Sequence, residues 1–511
     1  RENKVNNEII DFLVSNMRLS DDRKGDFYAM LATCNTGHKR LIELGKKYGW
    51  KLISKTVETL LRNSELSMKK RIQELPQGEY HFEHFMDHTG QNLKPVRIRA
   101  SAKKIKDKLF IDFDGTDMQS ESAYNVGPSM APSAAFTIIK AFLDPKSPIN
   151  HGVFRVLNIE IEKGTLLSAN YPASCAGSME VTHAVFSTVM PIIGGFVDAS
   201  ITGDNKGTSN HIYIGGINSK SGEEFLFYEF PAGGTGAFLE SDGNNAVRNF
   251  MEGDFGSIQS VEVIENLYPL KVKKLALEKD SGGAGFRRGG LGIRREIEVL
   301  SEDAILSISS DKNIIPPYGV LKGKSGYPNK FKVMRKNKLL EPSSTPGKVG
   351  GFALMKNDIV VICSAGGGGY GDPLKRDPEK VLHDVNSGYV SKGSAKSMYG
   401  LVFKDNLVDS RSTQLTRKAM REKRLFLKLS LIDRNEEDSK RICYLHPETV
   451  RKYALQEDML LELYGKSLAP LRAWIKIDSR ISENDLCIDS IGAKILGLKI
   501  NEKIFISPLN A

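Results

Sequence analysis

The residues from Pro172 to His183 combine a turn of small side chains with groups that can exchange protons. The turn leads into an apolar stretch that we predict to be helical, and the first turns of that helix carry Glu180 and His183. Because a helix N-terminus stabilises negative charge, both side chains would lie beside a place suited to an anion. We predict that Glu180 and His183 are catalytic. The sequence leaves one alternative open, a packed turn in which Glu180 only caps the helix.

A second segment, residues 280–292, contains six glycines and the adjacent pair Arg287 and Arg288. This composition excludes a helix and predicts a shaped loop, since glycine allows positive φ angles and close approach to the backbone. Guanidinium groups bind carboxylates through a fixed fork, or they anchor the loop itself. The residues alone leave both functions open for Arg287 and Arg288.

Two more glycine-rich loops, at residues 228–243 and 364–373, each include or follow a predicted strand. Such loops often carry binding residues. The pattern Gly-x-Gly-x-x-Gly at 366–371 formally matches a dinucleotide fingerprint, but Asp372-Pro373 delays any helix, so we predict a structural loop and no cofactor site. The substrate-binding residues that we predict from the three loops are Gly234, Gly236, Asp242, Ser281, Gly283 and Tyr370.

The stretch from His81 to His88 holds every side-chain type that zinc or manganese prefers. On the strand that we predict here, His81 and His84 point to opposite faces and cannot easily share one ion. We therefore predict a surface strand and hairpin rather than a metal site. Asp112 and Asp114 share a strand face, but the turn at Asp-Gly-Thr accounts for Asp114, so we predict a structural role for both.

The chain divides into three regions, and the fold class that they predict is α+β. Residues 1–77 carry apolar side chains at helical spacing, interrupted at Gly49, and predict a helical segment. Residues 78–403 change to a period of two with many turns, which predicts a sheet-rich core with glycine-rich loops. Residues 404–511 have fewer glycines and clustered lysines, and predict a small, basic, β-rich C-terminal domain. We predict strands at 153–161, 211–215, 224–230, 304–309, 358–363, 474–477 and 504–507, and helices at 131–142 and 181–191.

Composition excludes several classes of protein. No apolar run approaches the roughly 20 residues of a membrane span. The net charge of +10 comes from basic residues interleaved with 62 acidic ones, which argues against a nucleic-acid partner. The strongest basic run, residues 417–424, predicts a solvated helix face. Five scattered cysteines argue against a disulfide framework and favour the reducing cytoplasm.

A set of short motifs lies between about residues 6 and 403. They are Asp26, Asn35–Arg40, Asp112–Thr116, Pro148–Asn150, Gly233–Gly236, Asp280–Gly285, Arg287–Gly292, Pro316–Gly319, Gly366–Pro373 and Tyr399–Gly400. In this order they resemble the hydantoinase B family. That family includes the B-type subunits of N-methylhydantoinases, the C-terminal half of ATP-dependent 5-oxoprolinase, and the large subunits of acetone and acetophenone carboxylases.

The resemblance implies chemistry in which a partner of the hydantoinase A type binds ATP and phosphorylates the substrate's carbonyl oxygen or an enolate. The B-type subunit then completes hydrolysis or carbon addition, and Arg287 and Arg288 with nearby loop amides would stabilise the developing charge. The resemblance thus leads us to predict that Arg287, Arg288 and Asp280 are catalytic. We expect the substrate to be a small cyclic amide such as 5-oxoproline or a hydantoin. Two alternatives stay open: the large subunit of an ATP-dependent ketone carboxylase, and a non-catalytic scaffold subunit.

Two departures from the family pattern are visible. Family members usually have a longer N-terminal portion, rich in His and Asp, that supplies ligands for a divalent metal, here expected to be zinc or manganese. This chain begins at Arg1, after that portion. We expect another chain to carry the portion, or this chain to have been cut, or the metal to be absent. Residues 404–511 extend beyond the usual family end, and their pattern resembles the halves of a double-psi β-barrel.

Overall fold

The computed structural model describes residues 5–17, 20–197, 201–248, 258–405, 407–433 and 439–509. Contacts within the chain divide it into two compact units. The first consists of Arg1–Lys70 with Lys146–Val156, and the second of Arg71–Pro145 with Leu157–Ala511. The residues predicted to be catalytic or substrate-binding all belong to the second unit.

The first unit is helical, as its apolar spacing predicts. It contains α1 (Asn7–Val14), α2 (Ser20–Tyr48), most of α3 (Trp50–Glu74) and the short α5 (His151–Phe154). Gly49 separates α2 from α3 with a φ of +76°, a conformation that costs glycine little. The predicted strand at 153–161 is wrong over its first residues. Asn150 accepts a hydrogen bond from Gly152 N at 2.9 Å and starts α5, so the strand begins only at Leu157.

The second unit mixes helices and sheets, which confirms the α+β class. Its other helices are α4 (Met130–Leu143), α6 (Ser178–Phe196), α7 (Val261–Leu267), α8 (Pro378–Asn386), α9 (Lys392–Tyr399), α10 (Ser410–Glu422), α11 (Pro447–Lys452) and α12 (Ser490–Leu496). Within the described ranges, no helix has both the length and the apolar character needed to cross a bilayer.

The sheets before residue 409 are formed by strands that are mostly antiparallel neighbours. The strands are β1 (Glu79–Met86), β2 (Val96–Ile105), β3 (Lys108–Asp112), β4 (Leu157–Glu160), β5 (His211–Ile217), β6 (Glu224–Glu229), β7 (Leu270–Leu277), β8 (Ile293–Val299), β9 (Asp303–Ser309), β10 (Lys330–Arg335), β11 (Lys338–Leu340), β12 (Lys348–Met355), β13 (Ile359–Cys363), β14 (Phe403–Lys404) and β15 (Leu407–Val408). Their orders are β1-β2-β3-β4, β11-β10-β13-β8-β7, β12-β9-β5-β6 and the ribbon β14-β15.

The sheets containing β8 and β9 share one apolar core. Ile212, Ile214 and Leu306 come from one sheet, and Ile297 and Val360 come from the other. All five side chains are almost completely buried. The alternation of buried and less buried residues along β8 and β9 matches the strand period of two, so each sheet turns one apolar face inward.

Helix α6 is a buried helix that supports the candidate site. It packs against α4 and against strands β1 and β2. Nearly all of its side chains are buried, including the polar Glu180 and His183 in its first turns. The predicted helix at 181–191 is confirmed and extends further at both ends. A polar group buried this deeply must find partners or shift its pKa.

The glycine-rich loops meet in a bundle of extended segments, which we call the glycine bundle: residues 203–207, 231–237, 281–292, 316–327 and 364–371. Segment 364–371 lies at its centre and donates its amides to several neighbours in turn. The amides facing the same neighbour are three residues apart, which is the period of a polyproline II-type helix and not of a β-strand. On one side, Gly366 N donates to Tyr327 O and Gly369 N to Lys324 O. On another side, Gly367 N donates to Gly290 O and Tyr370 N to Arg287 O.

Close backbone packing explains why glycine is required in the bundle. A Cβ atom on Gly367 would lie 1.9 Å from Thr235 O, and one on Gly289 would lie 1.9 Å from Gly367 O. Both distances are far below van der Waals contact. The motif at 366–371 is therefore the structural loop that the sequence predicts, and the first α-helix after it, α8, begins only at Pro378.

Six strands between residues 425 and 508 close a barrel, which confirms the small β-rich C-terminal part. They are β16 (Leu425–Leu431), β17 (Ile442–Leu445), β18 (Leu460–Tyr464), β19 (Leu471–Ile477), β20 (Asp485–Ile488) and β21 (Lys503–Pro508). The order around the barrel is β16-β20-β17-β19-β18-β21. The pairs β16–β20 and β17–β19 are parallel. The likeness to a double-psi barrel stays a prediction.

The barrel is joined to β1 through a buried ion pair. Arg441 donates from Nε to Glu83 Oε1 at 2.5 Å and from Nη2 to Glu83 Oε2 at 2.7 Å. Both side chains are at most 1% exposed. The rings of Trp474 and Phe85 meet edge-on beside them, with centroids 5.1 Å apart. These contacts hold the barrel against the sheet of β1.

The basic run at 417–424 is solvated in part, with Lys418, Arg421 and Lys423 exposed as the sequence predicts. The sequence predicts a solvated helix face, but Arg417 is buried and donates to Tyr399 O at 2.9 Å and to Arg376 O at 2.8 Å. Arg424 forms an ion pair with Asp372 at 2.7 Å. A charge run can thus serve as an anchor, because an arginine fork satisfies several carbonyl groups at once.

Candidate active site

Helix α6 presents Glu180 and His183 together, one turn apart and fully buried. The alternative in which Glu180 caps its own helix is wrong, because the backbone N–H of the N-cap residue Gly177 donates to Ala123 O at 2.8 Å and not to the Glu180 carboxylate. The Glu180 carboxylate instead reaches the segment before β5, where its Oε1 accepts a hydrogen bond from Ser209 N at 3.2 Å. The two predicted catalytic residues therefore belong to one buried polar cluster.

The Glu180 carboxyl group is poised to exchange a proton. Burial raises its pKa to about 7, although the charge of Lys348 opposes the shift. Its Oε2 has no hydrogen-bond partner among the described residues. A carboxyl group with a pKa near the working pH can act as a general acid and as a general base.

His183 has a different role in the cluster. Burial, followed by the charges of Lys206 and Lys312, lowers its pKa to about 3. Its Nε2 lies 3.0 Å from Ser209 Oγ. The imidazole is therefore neutral at pH 7 and takes part through hydrogen bonds, since protonating it would require strongly acidic solution.

His211 and Tyr228 connect Glu180 with the surface. His211 Nε2 lies 3.8 Å from Glu180 Oε1, and its Nδ1 lies 2.6 Å from the Tyr228 hydroxyl. Tyr228 is 40% exposed. Burial lowers the pKa of His211, so its ring is mainly neutral at pH 7. The Tyr228 hydroxyl, the His211 imidazole and the Glu180 carboxyl thus form a row that leads from solvent to the buried carboxyl group.

Charged residues that the sequence reasoning missed surround this row. Burial, followed by the nearby charge of Asp87, raises the pKa of Asp311 to about 6. Lys348 Nζ donates to Ser310 O and lies 4.0 Å from the centre of the Tyr124 ring. We call Glu180, His183, Ser209, His211, Asp311 and Lys348 the Glu180 cluster.

A second buried pair lies next to His183. Lys312 Nζ forms an ion pair with Asp204, and Ser187 Oγ donates to the same carboxylate at 2.9 Å. The Tyr318 hydroxyl donates to Ser187 O at 2.8 Å. Burying two charges is costly unless they are paired and hydrogen-bonded, and here both conditions hold.

One signal could have revealed these residues. Polar stretches at 203–210 and 309–313 directly adjoin predicted strands at 211–215 and 304–309. Loops at strand ends carry functional groups in many folds. Their convergence on α6 depends on tertiary packing, so the sequence pattern alone marks candidates without pairing them.

The predicted residues Asp242 and Arg288 lie in another network. Asp242 Oδ1 accepts from Arg288 N at 2.7 Å, and Arg376 binds both Asp242 oxygens at 2.7 Å each. Arg376 also donates to Asp384 at 2.8 Å. Burial alone would raise the pKa of Asp242, but the hydrogen bonds and charge of Arg376 lower it. The Arg288 guanidinium itself donates to Gly289 O at 2.6 Å and lies 3.5 Å from Asp384, so its side chain helps to anchor the loop, the second function that the sequence allows for its arginines.

The remaining predicted loop side chains also have local partners. Arg287 Nε donates to Leu239 O at 3.1 Å, and the backbones of Arg287 and Tyr370 pair with each other. Asp280 accepts from Ser391 N at 2.7 Å. Ser281 Oγ accepts from Gly292 N at 2.9 Å. The partners in these contacts are different from the partners of Glu180 and His183 named above. The predicted catalytic and substrate-binding roles of these four residues stay predictions.

The predicted substrate-binding glycines lie within the glycine bundle. A Cβ atom on Gly234 would lie 2.0 Å from Gly290 O, one on Gly236 1.7 Å from Gly203 O, and one on Gly283 2.2 Å from Lys324 O. Their amides donate to Ala365 O, Asn205 Oδ1 and Gly367 O. The backbones of these glycines thus pack closely against neighbouring segments and their amides are hydrogen-bonded. Their role in substrate binding stays a prediction.

The surface placement predicted for the strand and hairpin at 81–88 is wrong, because residues 82–88 are all buried. The histidines of β1 and its turn point to separate environments. His81 Nε2 lies 2.9 Å from Glu79 Oε1, whereas His84 is buried near the Tyr318 ring. His88 Nδ1 accepts from Gly90 N at 3.1 Å. In the described part of the chain, no three His, Cys, Asp or Glu side chains are placed to hold one ion. The residues present therefore do not fit a zinc or manganese site.

Comparison with known proteins gives a consistent family. The family model described as hydantoinase B/oxoprolinase matches residues 1–373. An uncharacterised protein of Methanocaldococcus jannaschii is 32% identical over 419 residues, which cover 81% of this chain and 71% of that protein. The B-type subunit of a putative D-/L-hydantoinase from a Pseudomonas species (strain NS671) is 29% identical over 417 residues, covering 78% and 68%.

A third relative also has a structural counterpart. The beta subunit of the Pseudomonas jessenii caprolactamase is 27% identical over 421 residues, covering 78% of this chain and 69% of that protein. A crystal structure of an ATP-dependent caprolactamase from the same species matches 81% of this chain and 72% of its own, with a TM-score of 0.73 and 23% identity. The shared fold confirms the α+β architecture.

Proposed function

Because the chain belongs to the hydantoinase B/oxoprolinase family, we propose that it is the amide-processing component of an ATP-dependent hydrolase of cyclic amides. Two of its relatives are named as subunits of a hydantoinase and of a caprolactamase. Hydantoin and caprolactam are both ring amides. The working complex then includes a hydantoinase A-type subunit that binds ATP, and the reaction takes place in the cytoplasm.

Amide hydrolysis needs help at two points. An amide carbon is a weak electrophile, and phosphorylation of its oxygen by the ATP-binding partner makes it a strong one. Water attacks this carbon while a base takes its proton, which gives a tetrahedral intermediate. The C–N bond of the intermediate then breaks as the ring nitrogen is protonated, and the ring opens to an acyl phosphate that water cleaves to a carboxylate and inorganic phosphate. A single carboxyl group with a pKa near 7 can take the first proton and return it in the second step.

Glu180 is the group that supports this proposal best. Its raised pKa suits both steps at neutral pH, and its Oε2 is left without a partner among the described residues. Ser209 N and the neutral His183 hold the surroundings of the carboxylate in place. The row of His211 and Tyr228 gives the proton a path to solvent.

The other assignments belong to the same proposal. Arg287 and Asp280 act on the substrate from the edge of the glycine bundle, and Arg288 and Asp242 hold that edge in shape. A divalent metal takes no step in this mechanism, because the described residues do not form a ligand set for it. A chain carrying a His- and Asp-rich N-terminal portion would have to bring its own ligands.

The test uses the complex assembled with its ATP-binding partner. Ring opening of 5-oxoproline, hydantoin and caprolactam is followed by product analysis, together with ADP formation. In the Glu180→Gln variant, we expect ring opening to fall by about 10²-fold to 10⁴-fold. The complex should still form about one equivalent of ADP in the first turnover, because the partner subunit carries out the phosphorylation. Glu223→Gln, which alters an exposed carboxylate in the β5–β6 turn, serves as the control.

The two alternatives predict different results in the same assay. A ketone carboxylase would incorporate labelled bicarbonate into acetone or acetophenone and leave the ring amides intact. A scaffold subunit would give equal rates for Glu180→Gln, for Glu223→Gln and for the unchanged chain. Either result would overturn the hydrolase proposal.

A further inference from the structure

A cleft lies where the C-terminal barrel meets helices α9 and α10 and residues 322–324 of the glycine bundle. Its volume is about 350 Å³, which is within the range of small-molecule sites. Most of its lining residues lie beyond residue 373, where the family match ends. The cleft is therefore a feature of the C-terminal part of this chain rather than of the shared core.

The lining of this cleft is apolar with a cationic edge. Its apolar walls include Leu374, Met420, Leu455 and Phe505. Its charged lining residues are all basic, namely Lys322, Lys324, Lys423 and Arg424, and the described lining includes no carboxylate. Such a surface attracts a molecule that carries both an apolar body and negative charge.

Two of the cations are held in fixed positions. Arg424 is oriented by its ion pair with Asp372, and its guanidinium carbon lies 5.4 Å from the centre of the Phe505 ring. Lys324 Nζ donates to Ser507 Oγ at 2.7 Å and lies 5.8 Å from the same ring. Burial lowers the pKa of Lys324. Preorganised cations beside a rigid ring reduce the entropy lost when an anion binds.

The other two cations keep their charge available. In the part of the chain that the structure describes, Lys322 and Lys423 have no carboxylate within ion-pair distance. Asp372 pairs with Arg424, and the charge of Glu462 acts on Lys324, so two of the four cations have an acidic neighbour. The cleft thus keeps an excess of positive charge next to apolar walls.

We propose that this cleft binds a small amphiphilic anion, an apolar body bearing a carboxylate or a phosphate group. The apolar body packs against Leu374, Met420 and Leu455, and the anionic group meets Lys324 and Lys423. The site is separate from the Glu180 cluster, so it does not depend on the hydrolase activity proposed above.

The test measures binding of defined probes to the full chain by ligand-observed saturation-transfer NMR. The probes are 4-phenylbutyrate, phenyl phosphate and the neutral 4-phenyl-1-butanol, which matches the first probe in shape. We expect saturable binding of at least one anion and at least fivefold weaker binding of the alcohol. A preference for phenylbutyrate identifies the carboxylate as the anionic group, and a preference for phenyl phosphate identifies the phosphate.

Matched variants locate the binding. Lys423→Gln removes an exposed charge at the cleft, and Lys418→Gln removes an exposed charge from the same helical region outside its lining. Lys423→Gln should weaken anion binding about fivefold, as expected for one lost charge near a protein surface. Lys418→Gln should change it less than twofold. Equal weakening by both variants, equal binding of the alcohol, or absence of saturable anion binding would overturn the proposal.

Discussion

At the scale of single residues, Glu180 shows how burial can turn an ordinary carboxyl group into a proton-exchanging one. The same side chain in water would be ionised at pH 7 and would carry no proton to deliver. Removing it from solvent penalises the charged form, and the partial compensation by Lys348 and Ser209 leaves the pKa at about 7. Its chemistry therefore depends on what surrounds it and not on its residue type.

This shift predicts a pH dependence of stability. In the unfolded chain Glu180 titrates near 4.5, and in the folded protein near 7. Between these values the folded state holds a proton that the unfolded state has lost, so stability falls as the pH rises. The total contribution is about 3 kcal/mol.

The measurement compares urea unfolding of the unchanged chain and of Glu180→Gln at pH 5 and pH 7.5. The unchanged chain should lose about 2 kcal/mol more stability between the two pH values than the variant does. Glu223→Gln, at an exposed site, should behave like the unchanged chain. If all three proteins show the same pH slope, the carboxyl group is not perturbed.

At the scale of elements, the glycine bundle is the feature that most distinguishes this fold from an ordinary α+β protein. Segment 364–371 alternates its hydrogen bonds among neighbouring segments with a period of three, so side chains would have to project into a neighbouring backbone at most positions. The loops can therefore pack backbone against backbone without forming a sheet, because the residues at these close contacts are glycines and lack a Cβ.

We predict that Gly367→Ala disrupts this element. Its Cβ would lie 1.9 Å from Thr235 O and 2.2 Å from Thr235 C, and backbone atoms cannot move aside as a flexible side chain can. The expected loss is at least about 3 kcal/mol, at the upper end of overpacking effects. Gly350→Ala is the matched control, because its Cβ would meet nothing within 4 Å.

The stabilities follow from urea unfolding monitored by circular dichroism. Gly350→Ala should lie within about 0.5 kcal/mol of the unchanged chain. If Gly367→Ala is equally stable, the bundle must be loose enough to admit a methyl group, and the packing argument fails.

At the scale of the second unit, the C-terminal barrel is part of the folded body and not an appendage on a flexible linker. The buried pair of Arg441 and Glu83 connects it to β1, and the Trp474 and Phe85 rings pack beside that pair. Losing one partner of a buried ion pair leaves an uncompensated charge, which is more costly than losing both.

We therefore predict that Arg441→Met destabilises the protein by about 3–5 kcal/mol, and that adding Glu83→Leu recovers much of the loss. Lys494→Gln is the control, since it removes the partly exposed ion pair between Lys494 of α12 and Glu79 of β1 and should cost no more than about 1 kcal/mol. The three variants are compared by urea unfolding. If the double variant is no more stable than Arg441→Met, the unpaired charge of Glu83 is not the cause of the destabilisation.

Much of this architecture is predictable because its signals are local. Apolar spacing identifies the N-terminal helices and α6, alternation is visible in β5 and β9, and a continuous apolar run identifies β13. The short helix α5 escapes such a search because one turn has no period to detect. Its start depends on a single cap, the side chain of Asn150.

Residue types and their spacing are enough to give the α+β class, the need for glycine in the loops, the placement of Glu180 and His183 in the first turns of one helix, and the family through its ordered motifs. Which backbones the glycines contact, and that Asp311 and Lys348 surround Glu180, depends on the tertiary structure. The buried contacts of Arg288 and Arg417 depend on it as well. Composition and spacing report interactions over a few residues, whereas burial, pKa and ion pairing depend on groups that folding brings together from distant parts of the chain.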